Sequence, residues 1–243
     1  GGMQLSLRLS AVADMVTEGN RLVDVGCDHG YLPVYLVMNK KIPKAIAADI
    51  GEGPLSRARE HIGRYGLEAY IETRLCDGLK GIGPEEGDTL VLAGMGGPLM
   101  ERILNEGRNA LKGFKEVILE PQSDVPHLRR FLFDNGFVIV QEDFVKEDGK
   151  FYPVMKAVPA VGQDSGKKTV PWTQEQFFFG RYLLRDRHPV LKEYLTRELR
   201  IREKILARFA EEETLSGEAI RRKKEVEEEK RQILAALKQY EGK

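Results

Sequence analysis

The stretch Leu22–Val23–Asp24–Val25–Gly26–Cys27–Asp28–His29–Gly30–Tyr31 (LVDVGCDHGY) reads as a short apolar strand running into a glycine turn. Gly26 lets the backbone turn, and Gly30 lets the next helix start close to a ligand. A loop that cradles a pyrophosphate keeps a third glycine between these two and has no acids, because the phosphates rest on helix N-terminal amides. Here Asp28 and His29 occupy that ground. The loop keeps the turn of a nucleotide site but disfavours a dinucleotide.

Working outward, the chain alternates. A helix is expected over 5–17, where Leu5, Leu9, Val12, Ala13 and Val16 fall at helical spacing. Short β-branched runs follow at 21–25, 44–49, 70–75, 89–93 and 115–119, with helical segments between them such as 54–65, 97–106 and 126–134. Nearly continuous apolar strands in such alternation predict a parallel sheet covered on both faces, wound by right-handed crossovers. The pattern ends differently. Two strands, 137–145 and 151–158, flank Asp148–Gly149, a hairpin signal. A mostly parallel, seven-stranded α/β sheet closed by an antiparallel hairpin resembles the Rossmann-like class I methyltransferases.

The expected strand ends carry acids. Asp24 closes the first, Asp49 the second and Asp77 the third. Ligands of doubly wound sheets bind beyond these ends, beside the first strand. Asp49 can accept from both hydroxyls of a ribose or cap the helix that follows; Asp77 can accept from an adenine amino group or serve an Asp-Gly turn. An acidic rim suits the sulfonium of S-adenosylmethionine better than the phosphates of a nicotinamide cofactor. The fourth strand ends in Ala93–Gly94–Met95–Gly96–Gly97, a wall almost free of side chains where an acceptor can approach. The expected cofactor set is Asp24, Gly26, Cys27, Gly30, Asp49, Ile50, Asp77, Gly78, Ala93, Gly94, Met95 and Gly96. The Asn/Asp-Pro-Pro-aromatic device of many enzymes that methylate exocyclic amines is absent. Glu120–Pro121–Gln122 ends the fifth strand and either meets the acceptor or forms a solvated turn.

Composition sets the frame. The chain has 243 residues, 42% hydrophobic and 31% charged, with a formal net charge of zero. That describes a globular protein with a catalytic-sized domain at 3–160 and a smaller one at 173–243. No apolar run approaches the roughly 20 residues that span a bilayer, and a cytoplasmic protein is expected. Gly1–Gly2 ahead of Met3 read as an expression remnant. Cys27 and Cys76 lack metal-ligand spacing, so reduced thiols and no metal are expected. Charge is uneven: residues 181–243 hold 17 Lys/Arg against 13 Asp/Glu. After a Gly/Pro/Ser-rich linker at 159–171, Thr173 and Gln176 form a capping box, with Trp172 and Phe177 placed as a hydrophobic staple. One helix is expected from 174 to before Pro189, a second over 190–212 and a third from Ser216 to about Tyr240. Leu191, Leu195, Ile205 and Phe209 would pack against Ile220, Ile233, Leu234 and Leu237 as an antiparallel, coiled-coil-like pair.

Four stretches in this order, LSLRLSAVADMV, VDVGCDHGYLP, AGMGG and LEPQSDVPHLRRFL, are similar to the bacterial tRNA adenine-N1 methyltransferases that modify position 22 (TrmK type). The resemblance covers residues 4–158 and implies S-adenosylmethionine as cofactor and tRNA as partner. Adenine N1 carries a free lone pair, so no base is needed to activate it. The catalyst must align N1 with the methyl group and offset the positive charge that moves onto the ring. Asp28 is the candidate for that work, with His29 and Tyr31 orienting the base; helix capping, support of the loop and core packing are the respective alternatives. Arg8, Gln122, Arg197, Arg200, Lys204 and Arg208 are the candidate RNA contacts, the last four along one flank of a helix that equally suits a solvated, salt-bridged surface. A monomer or weak dimer is expected. Two other readings stay open: a methyltransferase for a small molecule or protein, and a non-enzymatic nucleotide-binding scaffold.

Overall fold

A computed structural model describes residues 3–160 and 170–242. The expected linker at 159–171 falls largely on 161–169, outside the described residues. The chain divides into two compact units, Gly1–Thr169 and Val170–Lys243.

The first unit opens with α1 (Leu7–Met15) and then alternates: β1 (Leu22–Val25), α2 (Tyr31–Met38), β2 (Ala45–Asp49), α3 (Glu52–Arg64), β3 (Ile71–Leu75), β4 (Thr89–Met95), α4 (Gly97–Glu106), α5 (Arg108–Leu111), β5 (Glu116–Pro121), α6 (Val125–Asp134), β6 (Phe137–Glu147) and β7 (Lys150–Pro159). The seven strands form one sheet in the order β3-β2-β1-β4-β5-β7-β6. β1 pairs in parallel with β2 on one side and β4 on the other, so the order reverses beside it and opens a crevice at its carboxyl end. Every residue of β1 and β5 is buried, as strands covered on both faces require. Leu22, Val91 and Ile118 from the sheet meet Val12 and Met15 of α1, Leu36 of α2, and Leu55 and Ile62 of α3 in the core. Asp148 (φ 52°) and Gly149 (φ 75°) both adopt left-handed backbone, the combination that a two-residue hairpin turn demands, and β7 then runs antiparallel to both β5 and β6.

α1 is fastened to the far end of this unit. The Leu7 N–H donates to Glu147 Oε2 at 2.8 Å, and Thr17, just past the helix, donates through both N–H and hydroxyl to the Glu116 carboxylate.

The second unit is helical: α7 (Gln174–Phe179), α8 (Arg181–Arg185), α9 (Pro189–Glu211) and α10 (Gly217–Lys238). The capping box at Thr173 and Gln176 is formed, and the Trp172 and Phe177 rings lie 5.5 Å apart. The single helix expected over 174–188 is instead two, because Gly180 takes φ 98°, outside helical space. The seam between α9 and α10 also differs from expectation. Leu191 and Leu195 are buried as expected, but on α10 the buried residues are Val226, Ile233 and Ala236, while Ile220 and Leu234 are 42% and 45% exposed. Spacings of seven and three select one line along α10, and positions 220 and 234 lie off it. Arg202 ties the pair together by bonding Glu198 on its own helix and Glu229 on α10. No helix among the described residues is long and apolar enough to cross a membrane.

Candidate active site

The turn after β1 departs from ordinary backbone at alternate residues. Gly26 (φ 78°), Asp28 (φ 50°) and Gly30 (φ 70°) are all left-handed. Aspartate tolerates this region better than most residues but less well than glycine. Asp28 is therefore a glycine position in conformation and an acid in chemistry. The Asp49 carboxylate, at the end of β2, braces the turn: Oδ2 accepts from the Asp28 N–H at 3.4 Å and Oδ1 from the Gly51 N–H at 3.0 Å. Asp49 thus serves a neighbouring loop rather than capping α3, whose cap position is Gly51. Asp28 does not cap α2 either, since Gly30 holds that position without a side-chain bond. Its carboxylate is 66% exposed, 3.4 Å from Arg57 Nη2 and 3.8 Å from His29 Nε2. The His29 ring stacks on Tyr31, centroids 5.0 Å apart.

These groups open onto a cleft of about 850 Å³. Asp24, Gly26, Cys27, Asp28, Asp49, Ala93 and Gly94 line it from the strand ends, and residues Met3–Ser6 with Arg8 and Leu9 line it from α1 and the segment before it. A Cβ at Gly26 would lie 3.0 Å from the Met95 methyl, and the left-handed backbone there strains any side chain. Asp24 lies beneath; burial, then the nearby Asp49 charge, pushes its carboxyl up to about 7. Burial likewise raises the Cys27 thiol far above its usual range, so Cys27 packs as a small apolar residue.

Other expected site residues sit elsewhere. Gly30, Ile50, Asp77, Gly78, Met95 and Gly96 do not line this cleft. Gly30 is needed where α2 meets α3, since a Cβ would lie 3.2 Å from the Ala58 Cβ. Ile50 stands exposed after β2. Asp77 faces Lys80 and Arg102 at 3.5 and 3.8 Å, and Gly78 packs on Ile103. Gly96 approaches Ser123 across the β4–β5 loops.

Glu120 is neither solvated nor open to the cleft. It is fully buried, its Oε1 holds Arg8 Nη1, and its Oε2 finds no hydrogen-bond partner among the described residues. Burial pushes its carboxyl up to about 7 against the opposing pull of Arg8. Arg8, also 5.7 Å over the Tyr152 ring, is thereby built into the cleft wall next to Gly94 and Gln122. Of the other candidate RNA contacts, Arg197 is 3.9 Å from Glu198, while Arg200, Lys204 and Arg208 are exposed on α9 with no ion pair among the described residues. His61, Arg64 and Tyr65, at the end of α3, also line the cleft. Their sequence spacing is that of any amphipathic helix and gave no signal. Among the described residues no group of three or more His, Cys, Asp or Glu could hold a metal ion.

The residues present fit a cationic nucleoside. A carboxylate has about four acceptor sites. Asp49 uses one on each oxygen and keeps capacity for two ribose hydroxyls, with Asp24 below as an acid that a nearby cation would ionise. A switch-point cleft of this kind, on a parallel sheet ended by a hairpin, defines a class I methyltransferase. In agreement, residues 5–155 match the methyltransferase domain family. The Bacillus subtilis tRNA (adenine(22)-N(1))-methyltransferase is 34% identical over 197 residues, 81% of this chain and 82% of that protein. The crystal structure of the B. subtilis m1A22 tRNA methyltransferase TrmK superposes with a TM-score of 0.82 at 30% identity, covering 96% of this chain and 99% of that one. Streptococcus pneumoniae Sp1610 in complex with S-adenosyl-L-methionine gives 0.82 at 31% identity, covering 96% and 100%. This chain belongs to the family of tRNA (adenine(22)-N(1))-methyltransferases.

Proposed function

We propose that the chain transfers a methyl group from S-adenosylmethionine to N1 of an adenine in tRNA, at position 22 as its B. subtilis relative is named to do. The observation that carries the residue assignment is Asp28, held left-handed at the mouth of the cleft by the Asp49 carboxylate and left with an exposed carboxylate of its own. The bound cofactor supplies a methyl group made electrophilic by the sulfonium. The chain's residues do the rest. Asp49 holds the ribose, and Ala93 and Gly94 leave room for the acceptor. Asp28 accepts a hydrogen bond from the adenine amino group, which aligns N1 with the methyl and places a negative charge beside the ring as positive charge develops there. His29 and Tyr31 give the base a stacking surface once it has left its helix.

Arg8 would oppose a forming cation if it stood alone. Glu120, bonded to it, offsets that charge to the extent that its carboxyl is ionised. Arg197, Arg200, Lys204 and Arg208 on α9 are the phosphate contacts of the second unit, and a tRNA substrate supports the reading of a cytoplasmic protein.

The test is an unmodified tRNA transcript incubated with cofactor, followed by mapping of the methylated base. In the same assay Asp28→Ala should lose at least about a hundredfold in kcat, the scale of removing one preorganised electrostatic group, while still binding cofactor. Near-normal turnover at saturating cofactor would remove Asp28 from the mechanism.

A further inference from the structure

The cleft does not end at the strand termini. Past Tyr31 it continues along α3, where His61, Arg64 and Tyr65 line it and residues Met3–Ser6 face them. The rings in this arm form a series. His29 stacks on Tyr31, Tyr31 meets His61 edge-on at 4.8 Å, and His61 meets Tyr65 edge-on at 5.2 Å. His61 is buried, with its Nδ1 unpartnered among the described residues, and burial lowers its pKa so that the ring is neutral at pH 7. Tyr65 is half-buried and Tyr31 is 41% exposed. At the rim stands Arg64, exposed, with Glu60 at 3.7 Å as a solvent-facing partner. Pairs of that kind are weak and yield to a better anion.

A volume of about 850 Å³ lies at the upper end of what one small ligand fills, roughly 300–1,000 Å³. The lining at His61, Arg64 and Tyr65 extends the cleft beyond the strand ends. Tyr31 and Tyr65 are the accessible rings, spaced apart by the buried His61, and two aromatic side chains with a cation at the rim suit single-stranded nucleic acid: bases stack on the rings and the backbone follows the charge. The arm belongs to the same cleft as Asp28, His29 and Tyr31, the residues assigned above to the target adenine.

We propose that this arm binds an unpaired nucleotide adjacent to the target adenine, its base against Tyr65 and its phosphate on Arg64. The inference rests on the tRNA-methylating reading above and deepens it. The enzyme then selects an adenine whose neighbour can also leave its stack, a requirement on substrate structure rather than on base identity.

The experiment uses the full chain, an unmodified tRNA transcript and two variants, Arg64→Glu and Tyr65→Leu. Arg64→Glu should raise KM for tRNA roughly tenfold and reduce the salt dependence of binding by about one phosphate's worth, with kcat little changed. Tyr65→Leu should weaken tRNA binding by roughly tenfold through loss of a stacking face. Cofactor affinity, measured by calorimetry, should match wild type in both. A photoactivatable nucleotide placed beside the target adenine should crosslink to the peptide carrying residues 61–65. Wild-type KM and salt dependence in Arg64→Glu would overturn the assignment. So would loss of cofactor binding, which would give the arm to the cofactor, or crosslinks confined to residues 170–243. If the wild-type chain fails to methylate tRNA, the functional reading falls and this one with it. If it succeeds and Arg64→Glu is indistinguishable from it, only the assignment of the arm falls.

Discussion

Asp28 holds a backbone conformation that glycine adopts freely and alanine resists, and this separates its folding role from its chemical one. Asp28→Gly should leave stability unchanged or raise it by up to about 1 kcal/mol, since relief of strain is partly offset by a more flexible unfolded chain. Asp28→Ala should lower stability by about 1 kcal/mol. Both should lose methyl transfer alike. Thermal melts read beside kcat check this; activity that followed stability would make residue 28 a structural position. Asp24 gives a pH prediction. Its carboxyl sits at about 7 in the folded chain against an ordinary value near 4. Between those values the unfolded chain releases the proton and the folded chain keeps it. The ligand-free protein therefore holds this stability below pH 4 and loses it as pH rises through 7. A cationic ligand favours the ionised acid, so affinity for S-adenosylmethionine relative to S-adenosylhomocysteine, whose sulfur is uncharged, should rise from pH 6 to pH 8. Calorimetry on Asp24→Asn should show a flat ratio; an unchanged slope would acquit Asp24.

At the scale of elements, what was legible followed from local chemistry. Most of the strands announce themselves as apolar runs closed by a nearby glycine or acid, and Asp148–Gly149 dictates its hairpin whatever lies around it. Gly180 hides directly behind the aromatic run Phe177–Phe178–Phe179, where a strong capping box at Thr173 argues for one continuous helix. The pairing of Arg8 with Glu120 joins residues 112 positions apart and leaves no local trace. The same holds for Tyr65, which reads as one more apolar residue of α3 until the fold brings the segment before α1 across from it. α9 carries a prediction of its own. Arg200 and Lys204 are exposed, so reversing both to Glu should change stability by no more than about 0.5 kcal/mol each. If both contact phosphates, tRNA affinity should fall and the slope of its logarithm against log salt should shrink by about two. Filter binding over a salt series checks this, and an unaltered slope would leave α9 as a solvated face.

At the scale of the whole molecule, the two units divide charge as well as structure. Residues 1–169 hold 21 Lys/Arg against 24 Asp/Glu, and residues 170–243 hold 17 against 14. Acid is in excess in the unit that carries the cleft, and base in the helical unit. A formal net charge of zero thus conceals a polarity suited to handling a cationic cofactor and a polyanion in one chain. The fastening of α1 has a further consequence, for the order in which the protein is made. One wall of the cleft leaves the ribosome before the rest of the first unit. The groups that hold that wall, Glu116, Glu120 and Glu147, emerge 99, 112 and 140 residues after the partners they bind. β7, which completes the sheet around β5, comes later still. A nascent chain therefore has no cleft to fill until nearly the whole first unit has been synthesised, so cofactor capture can mark the completion of that unit during translation but cannot guide its assembly.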